Sequence, residues 1–219
     1  MTAYVLQHTG TLRLNAYSGG GYWTHYGPSG WYLDGVVQGT GYSGTAIAQS
    51  ANFPVSTNLS TSGSGFLVSL EGGYPVPLRL GSNFVLEPQA QIIWQHVSLG
   101  DANDGISTVA LGSTSGATGR LGARAQWTIL GDNGEVWQPY ARANLWHSWG
   151  AQESTDFEQS PITVPLDEQA TWLEFAGGLT YKLSPGLAFY TQAGYQFAVA
   201  PSEVRHNGFT GDLGLRITW

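Results

Sequence analysis

The chain has no cysteine, a single lysine (Lys182), only 11% charged residues and no apolar run long enough for a transmembrane helix. Each shortage closes off a class of protein. Without cysteine there are no disulfides and no thiolate metal sites, which is compatible with passage through an oxidising compartment. An ordinary soluble domain is roughly 25% charged, so this chain is short of the charge that hydrates a soluble surface. Eight Lys and Arg against 15 Asp and Glu, with no basic cluster, leave no face for phosphates and exclude nucleic acid as a partner. No stretch reaches the about 18 apolar residues of a spanning helix, and the mean hydropathy of −0.12 by itself reads as soluble. A barrel strand escapes both tests, because only alternate residues meet lipid and the average stays neutral. Met1-Thr2-Ala3-Tyr4 lacks the basic start, apolar core and small-residue cleavage site of a secretory signal. A missing upstream portion is therefore expected.

What the chain does have is glycine, 31 residues of it, and 13% aromatics. Its apolar residues alternate with period two, the strand period. At the C-terminal end Phe209, Gly211, Leu213, Leu215, Ile217 and Trp219 form one face, and Thr210, Asp212, Gly214, Arg216 and Thr218 the other. The pattern recurs at Leu187 to Val199, with Tyr190, Gln192, Gly194 and Gln196 opposed. It recurs again at Leu173 to Leu183, opposed by Trp172, Glu174, Thr180 and Lys182. Upstream, Trp137 to Trp149 opposes Gln138, Tyr140, Arg142 and Asn144, and Leu121 to Trp127 opposes Arg120, Arg124 and Gln126. Leu86 to Trp94 opposes Glu87, Gln89, Gln91 and Gln95; Phe66 to Tyr74 opposes Ser69 and Glu71. Leu33, Gly35 and Val37 oppose Tyr32, Asp34 and Gln38, while Leu12, Leu14, Ala16 and Tyr22 oppose Arg13, Asn15 and Tyr17. This makes about nine strands in a single domain over residues 1–219 without an internal boundary.

Connections alternate in length. Gly27 to Gly30, Arg79 to Asn83, Leu130 to Glu135 and Ser184 to Gly186 are short; Gly41 to Gly65, Ser98 to Gly119, Ala151 to Ala170 and Ala200 to Asn207 are long. In an outer-membrane barrel the long set is extracellular, which puts the C-terminus in the periplasm.

The charges test the face assignment independently, since the phase of each strand was set by its hydrophobic residues. Arg13, Asp34, Glu71, Glu87, Arg120, Arg124, Arg142, Glu174, Lys182, Asp212 and Arg216 all fall on the polar face. A Lys or Arg facing lipid at the midplane costs about 2–4 kcal/mol, enough to purge it, whereas a wet lumen lets opposite charges pair. Aromatics such as Tyr22, Trp23, Trp94, Trp127 and Trp149 lie near strand ends, at girdle positions. The expected fold is an all-β, up-and-down antiparallel transmembrane barrel.

YWTHYGPSGWYLDGVVQGT from Tyr22 to Thr40 is followed in order by SLEGGYPV at Ser69, LEPQAQIIWQ at Leu86 and GRLGARAQW at Gly119. PYARANLWHSWG at Pro139 and LEFAGGLTYKLS at Leu173 come next. Along nearly its whole length the chain thus resembles the autotransporter β-domain, the translocator of type V secretion. The resemblance implies a bacterial outer-membrane barrel of about twelve strands that anchors the protein and conducts or assists export of an N-terminal passenger. It implies no cofactor and no covalent chemistry, and as partners membrane lipid, the barrel assembly machinery, periplasmic chaperones, and the protein's own linker helix and passenger. Roughly three strands and that helix are absent from the chain, and Gly41-Tyr42-Ser43-Gly44 departs from the aromatic that commonly continues the QGT motif. The last eight residues resemble the outer-membrane assembly signal, with Asp212, Gly214, Ile217 and Trp219 at its characteristic positions.

The lumenal arginines Arg120, Arg124, Arg142 and Arg216 have two readings: contact with a threaded segment, or pairing along the wall with Glu71, Glu87 and Glu174. A porin-like channel or a barrel-type hydrolase is the alternative function. His25, His96, His147 and His206 stand in no Ser and Asp spacing that assembles a hydrolase unit, and they read as interface or wall residues. Gly39 to Gly44 matches GxGxxG but opens no helix, so it binds no nucleotide. Glu153, Asp156, Glu158, Asp167 and Glu168 lack the dense ligand spacing of a calcium loop and read as a solvated loop. If the terminal motif is read during assembly, deleting Trp219 lowers outer-membrane yield on fractionation; an unchanged yield would remove that role.

Overall fold

A computed structural model describes residues 8–50, 56–78, 83–103, 108–110, 112–149, 152–157, 160–167, 170–199 and 207–218. Fifteen strands lie within them: β1 His8–Tyr26, β2 Tyr32–Ser50, β3 Ser56–Gly73, β4 Val76–Leu78, β5 Phe84–Leu99, β6 Ala102–Asn103, β7 Thr108–Ala110 and β8 Ser113–Trp127. They continue as β9 Ile129–Leu130, β10 Val136–Trp149, β11 Gln152–Phe157, β12 Ser160–Asp167, β13 Ala170–Ser184, β14 Leu187–Ala198 and β15 Gly208–Ile217.

Nine long strands pair in chain order, β1-β2-β3-β5-β8-β10-β13-β14-β15, all antiparallel, with β4 and β9 as short additions against β5 and β10. The expected number of long strands is met. Among the described residues β1 and β15 are the edges of the sheet. Residues from β1 through β14, including Tyr26, Glu71, Arg120 and Gln192, line one common recess, so the sheet curls and its polar face is concave.

Register follows the hydrophobic pattern, because a slip of one residue would turn a whole strand inside out. Asp34 pairs with Glu71, Glu71 with Gln91, Gln91 with Arg120 and Arg120 with Trp146, all on the concave side. Leu33, Gly72, Ala90, Leu121 and Leu145 form the matching outer row. Outer residues are left open: Leu121 is 64% exposed and Leu213 85%. Buried hydrophobic residues among those described are only Phe84, Ala170 and Ala176. Among the described residues most of the large aliphatic side chains of β3, β8, β10 and β15 sit on the outward face.

Glycine on the concave face admits neighbouring aromatics. A Cβ on Gly178 would collide with the Tyr140 ring, and one on Gly214 with the Tyr190 ring; each tyrosine lies opposite its glycine in the register.

Three expectations need correction. The stretch Gly41 to Gly65 is largely strand: β2 and β3 continue upward as a paired ribbon to Gln49 and Ser56. The stretches Ser98 to Gly119 and Ala151 to Ala170 also contain strands, and β6, β7, β11 and β12 form a second sheet in the order β12-β11-β7-β6. These segments are rich in Gly, Ser and Thr, so they carry no hydrophobic contrast from which alternation could be read. The third correction concerns β1. Ser18 pairs with Thr40, Thr24 with Asp34 and Arg13 with Thr45, which turns Leu14, Ala16 and Tyr22 inward and Arg13, Asn15 and Tyr17 outward, the reverse of the expected phase. Three consecutive glycines, Gly19 to Gly21, had blurred the pattern there.

Outer-face placement predicts that Leu213→Arg blocks assembly far more than Arg216→Ala, whose side chain lies on the concave side. A heat-modifiability gel reads the folded fraction, and equal effects would overturn the assignment.

Candidate functional site

The concave face holds the chain's ordered polar chemistry. It is built by inward positions of β2, β3, β5, β8, β10, β13 and β14, whose side chains bridge from strand to strand.

On one side Tyr32 passes over Gly73 and donates its hydroxyl to Glu71 Oε1 at 2.8 Å. Glu71 Oε2 pairs with Arg120 at 2.7 Å, and Arg120 is only 7% exposed. Gln89 joins three of these strands, donating to Tyr32 Oη at 3.0 Å and to Glu87 Oε1 at 2.7 Å, and accepting from Arg120 at 3.3 Å. On the other side Arg142 pairs with Glu174 at 2.7 Å, and Trp146 Nε1 donates to the second oxygen of Glu174 at 2.9 Å. Tyr140 crosses above Gly178 to give its hydroxyl to Gln192 at 2.7 Å, and Gln192 donates onward to Asp212 at 3.3 Å. The halves meet through rings: the Arg120 guanidinium lies 5.5 Å from the Trp146 ring centre, and that of Arg124 4.2 Å from the Tyr140 ring. Such contacts contribute about 0.5–2 kcal/mol.

The resulting recess, of about 440 Å³, is polarised. Asp34, Glu71 and Glu87 line it from β2, β3 and β5, and Arg120, Arg124 and Arg142 from β8 and β10. Asp34 stands directly opposite Glu71, and Arg124 directly opposite Arg142. In each like-charged pair one member is neutralised elsewhere, Glu71 by Arg120 and Arg142 by Glu174. Asp34 Oδ1 and Arg124 Nε are buried without a hydrogen-bond partner among the described residues. Asn144, 1% exposed and opposite Gly122, likewise has neither side-chain polar atom bonded.

Of the residues expected to line the lumen, Asp34, Glu71, Glu87, Arg120, Arg124, Arg142 and Glu174 are brought together on this face. Lys182 and Arg216 line a second recess near the tight turn between β13 and β14. Arg13 is not among them; its register partner Thr45 lies on the outer face. Within the terminal motif, Asp212 accepts from Gln192, Gly214 provides the space beneath Tyr190, and Ile217 points outward at 60% exposure. Trp219 and His206 lie outside the described residues, as do Glu158 and Glu168. The side chains of Glu153, Asp156 and Asp167 are likewise not described.

Tyr32, Gln89, Tyr140, Trp146 and Gln192 had not been singled out. For all but Trp146, which stands opposite Arg120 and Trp172, the signal is an inward tyrosine opposite a glycine with an amide two strands away, which exists only once the register is known.

The described histidines all face outward. His25 stacks on Trp23, His96 stacks on Trp94 and bonds Ser115 at 2.7 Å, and His147 bonds Thr171 at 2.7 Å and meets Trp149 edge-on. No described carboxylate occupies an outward position in the nine long strands, so no histidine shares a face with an acid. Among the described residues no Ser, His and acid unit is assembled.

Removing one partner of a buried ion pair strands the other. Glu71→Ala is expected to lower stability by about 1–3 kcal/mol, less than the about 3–5 kcal/mol of a dry interior because the Glu71 side chain keeps 22% exposure. Adding Arg120→Met should recover most of that loss. Urea midpoints in detergent read both, and no recovery in the double variant would show that the pair is not the unit.

The family model of the autotransporter beta-domain matches residues 3–194. Among solved structures, the beta domain of the Bordetella autotransporter Brka superimposes with a TM-score of 0.69 at 22% identity, covering 95% of this chain and 75% of that one. The transport unit of the autotransporter AIDA-I from Escherichia coli aligns over 97% of this chain and 84% of that one, at 14% identity and a TM-score of 0.36.

Proposed function

The chain belongs to the autotransporter β-domain family, and from that premise we propose how its curled sheet serves a passenger as a translocator. The sheet is the greater part of an outer-membrane barrel that anchors the protein and conducts or assists export of a segment N-terminal to it. The family match over residues 3–194 carries this reading. The division of the nine strands into an apolar outside and a charged inside supports it physically, since lipid tolerates only the former.

An open sheet in hydrocarbon leaves unpaired backbone groups at β1 and β15, each costing several kcal/mol. The barrel is therefore completed by further strands at these edges, about twelve in all. Long hairpins face the cell exterior and tight turns the periplasm, which places the C-terminus inside. The strand lengths support this: β1 and β2 are 19 residues each, about 60 Å at about 3.3 Å per residue, well beyond an apolar band of about 25 Å even when tilted. Arg13, outward but ten residues above Trp23, then clears the hydrocarbon at the long-hairpin end.

The polarised recess is the contact zone for the threaded segment. Arg124 Nε and Asp34 Oδ1 have no hydrogen-bond partner among the described residues, so a linker bearing both signs of charge supplies partners for them. Lys182, Asp212 and Arg216 continue that lining toward the periplasmic turns. In biogenesis periplasmic chaperones carry the chain and the barrel assembly machinery reads its last strand, through Asp212, Gly214, Ile217 and Trp219. An edge strand such as β15 supports recognition by strand addition. A porin-like role is the second reading, and the same test separates the two. An epitope placed immediately upstream of the barrel in the whole protein should appear at the surface of intact cells and be shaved by added protease. A folded, heat-modifiable barrel whose epitope stays protected in the periplasm would exclude the translocator.

A further inference from the structure

We propose that the strand pairing with the open edge of β15 carries an asparagine or glutamine on its inward face, opposite Gly214, as the hydrogen-bond partner of Tyr190. The proposal rests on the reading above, in which further strands complete the barrel, and it names the chemistry of the one that meets β15.

Two rows of the register show the same arrangement in full. In the first, Tyr32 on β2 stands opposite Gly73 on β3, which stands opposite Gln89 on β5. In the second, Tyr140 on β10 stands opposite Gly178 on β13, which stands opposite Gln192 on β14. In both, the ring lies over the glycine and the hydroxyl meets the amide beyond it, at 3.0 Å in the first row and 2.7 Å in the second. Gln89 donates to its tyrosine and Gln192 accepts from its own, and an amide serves either way because it carries both groups.

A third row begins in the same way. Tyr190 on β14 stands opposite Gly214 on β15, and its ring lies over that glycine so closely that a Cβ there would strike it. The next position in the row belongs to the strand beyond β15. Tyr190 is 46% exposed, where Tyr32 and Tyr140 are half-buried, and its hydroxyl has no hydrogen bond among the described residues. Once a strand covers that edge the hydroxyl loses water, and a partner opposite Gly214 removes the cost of the unmade bond. A tyrosine opposite a glycine does not cross it in every row. Tyr42 on β2 stands opposite Gly63, but the residue beyond is Leu99, whose side chain lies over Gly63, and the Tyr42 ring rests against Gly65 instead. An aliphatic neighbour turns the ring aside, whereas an amide holds it across. β1 does not supply the amide: its inward positions from Leu14 to Tyr26 include none, and Asn15 faces outward.

The test uses the whole protein, with the strands that complete its barrel. Tyr190→Phe is expected to lower the melting temperature of the heat-modifiable band about as much as Tyr140→Phe, which breaks the bond to Gln192, while Tyr42→Phe leaves it unchanged. A photoreactive benzophenone side chain placed at position 190 locates the partner. Peptide mapping after illumination should put the crosslink on a strand N-terminal to β1, at or beside an asparagine or glutamine. Replacing that amide by leucine should give the same shift as Tyr190→Phe, and the double variant no larger one, as for the two ends of one interaction. A crosslink to β1, a crosslinked strand with no amide at that place, an unshifted Tyr190→Phe, or shifts that add in the double variant would overturn the proposal. If the crosslink and the coupling are found while the upstream epitope stays in the periplasm, the translocator reading fails alone. If the epitope reaches the surface and they are missing, this contact fails alone.

Discussion

The structure depends on an antiparallel register that runs through all nine long strands, with one shift where β13 turns into β14, between Lys182 and Ser184. From Tyr26 opposite Tyr32 at one edge to Ala188 opposite Arg216 at the other, successive long strands keep their inward positions aligned. Because strand side chains alternate strictly, this one regularity sorts every residue to a face, and a one-residue slip anywhere would carry charges into the apolar side. A soluble sheet has a core to defend its register. Here the described interior is polar and the apolar face is exposed, so the penalty for slipping falls on charge burial in lipid and on the broken polar bridges of the concave face.

Those bridges explain how a wide polar face is held without a packed core. Glycine plays the enabling part: where Gly73 and Gly178 omit a side chain, Tyr32 and Tyr140 cross a whole strand and bond to partners beyond it. Such hydrogen bonds contribute about 0.5–1.5 kcal/mol each, and together they tie non-adjacent strands that backbone pairing cannot connect. The wall pairing expected of the arginines is present for two of them. Arg120 and Arg142 are engaged by wall carboxylates, while Arg124 rests on a ring.

Much of this was legible in the sequence. Eight of the nine strand phases, the count of long strands and the set from Asp34 to Glu174 followed from alternation, because lipid imposes a hydrophobic contrast of period two. The tight turns at Gly27 to Gly30, Leu130 to Glu135 and Ser184 to Gly186 followed from their turn residues, whereas that at Arg79 to Asn83 lies mostly outside the described residues. β1 was misread since Gly19 to Gly21 carry no such contrast, and the residues on either side of them, Leu14 and Tyr22 against Arg13, suggested a phase that only pairing with β2 could correct. The second sheet was invisible for a related reason. Beyond the hydrocarbon, strands need hydrogen bonds but no apolar face, and Thr, Ser and Gly satisfy that need without leaving a pattern. The bridging role of Tyr32, Gln89 and Gln192 was hidden more deeply, since it joins residues up to 57 positions apart.

Arg13 shows where the lipid constraint stops. It is the one charged residue on an outward position of the nine long strands among those described, and it lies in the upper half of a 19-residue strand. Had the apolar band extended along the whole strand, an outward arginine there would carry about the 2–4 kcal/mol penalty of a buried lipid-facing charge, falling toward about 0–1 kcal/mol only near an interface. Tyr17 and Trp23 follow it on the same face, aromatics of the kind that mark the girdles on either side of hydrocarbon. On the facing strand the outward series changes in step, from Thr45 and Ser43 through Gly41 and Gly39 to Val37, Gly35 and Leu33. Two paired strands thus lose their apolar outward character at the same height, which is how a membrane boundary, rather than the fold itself, writes its position into a β-sheet.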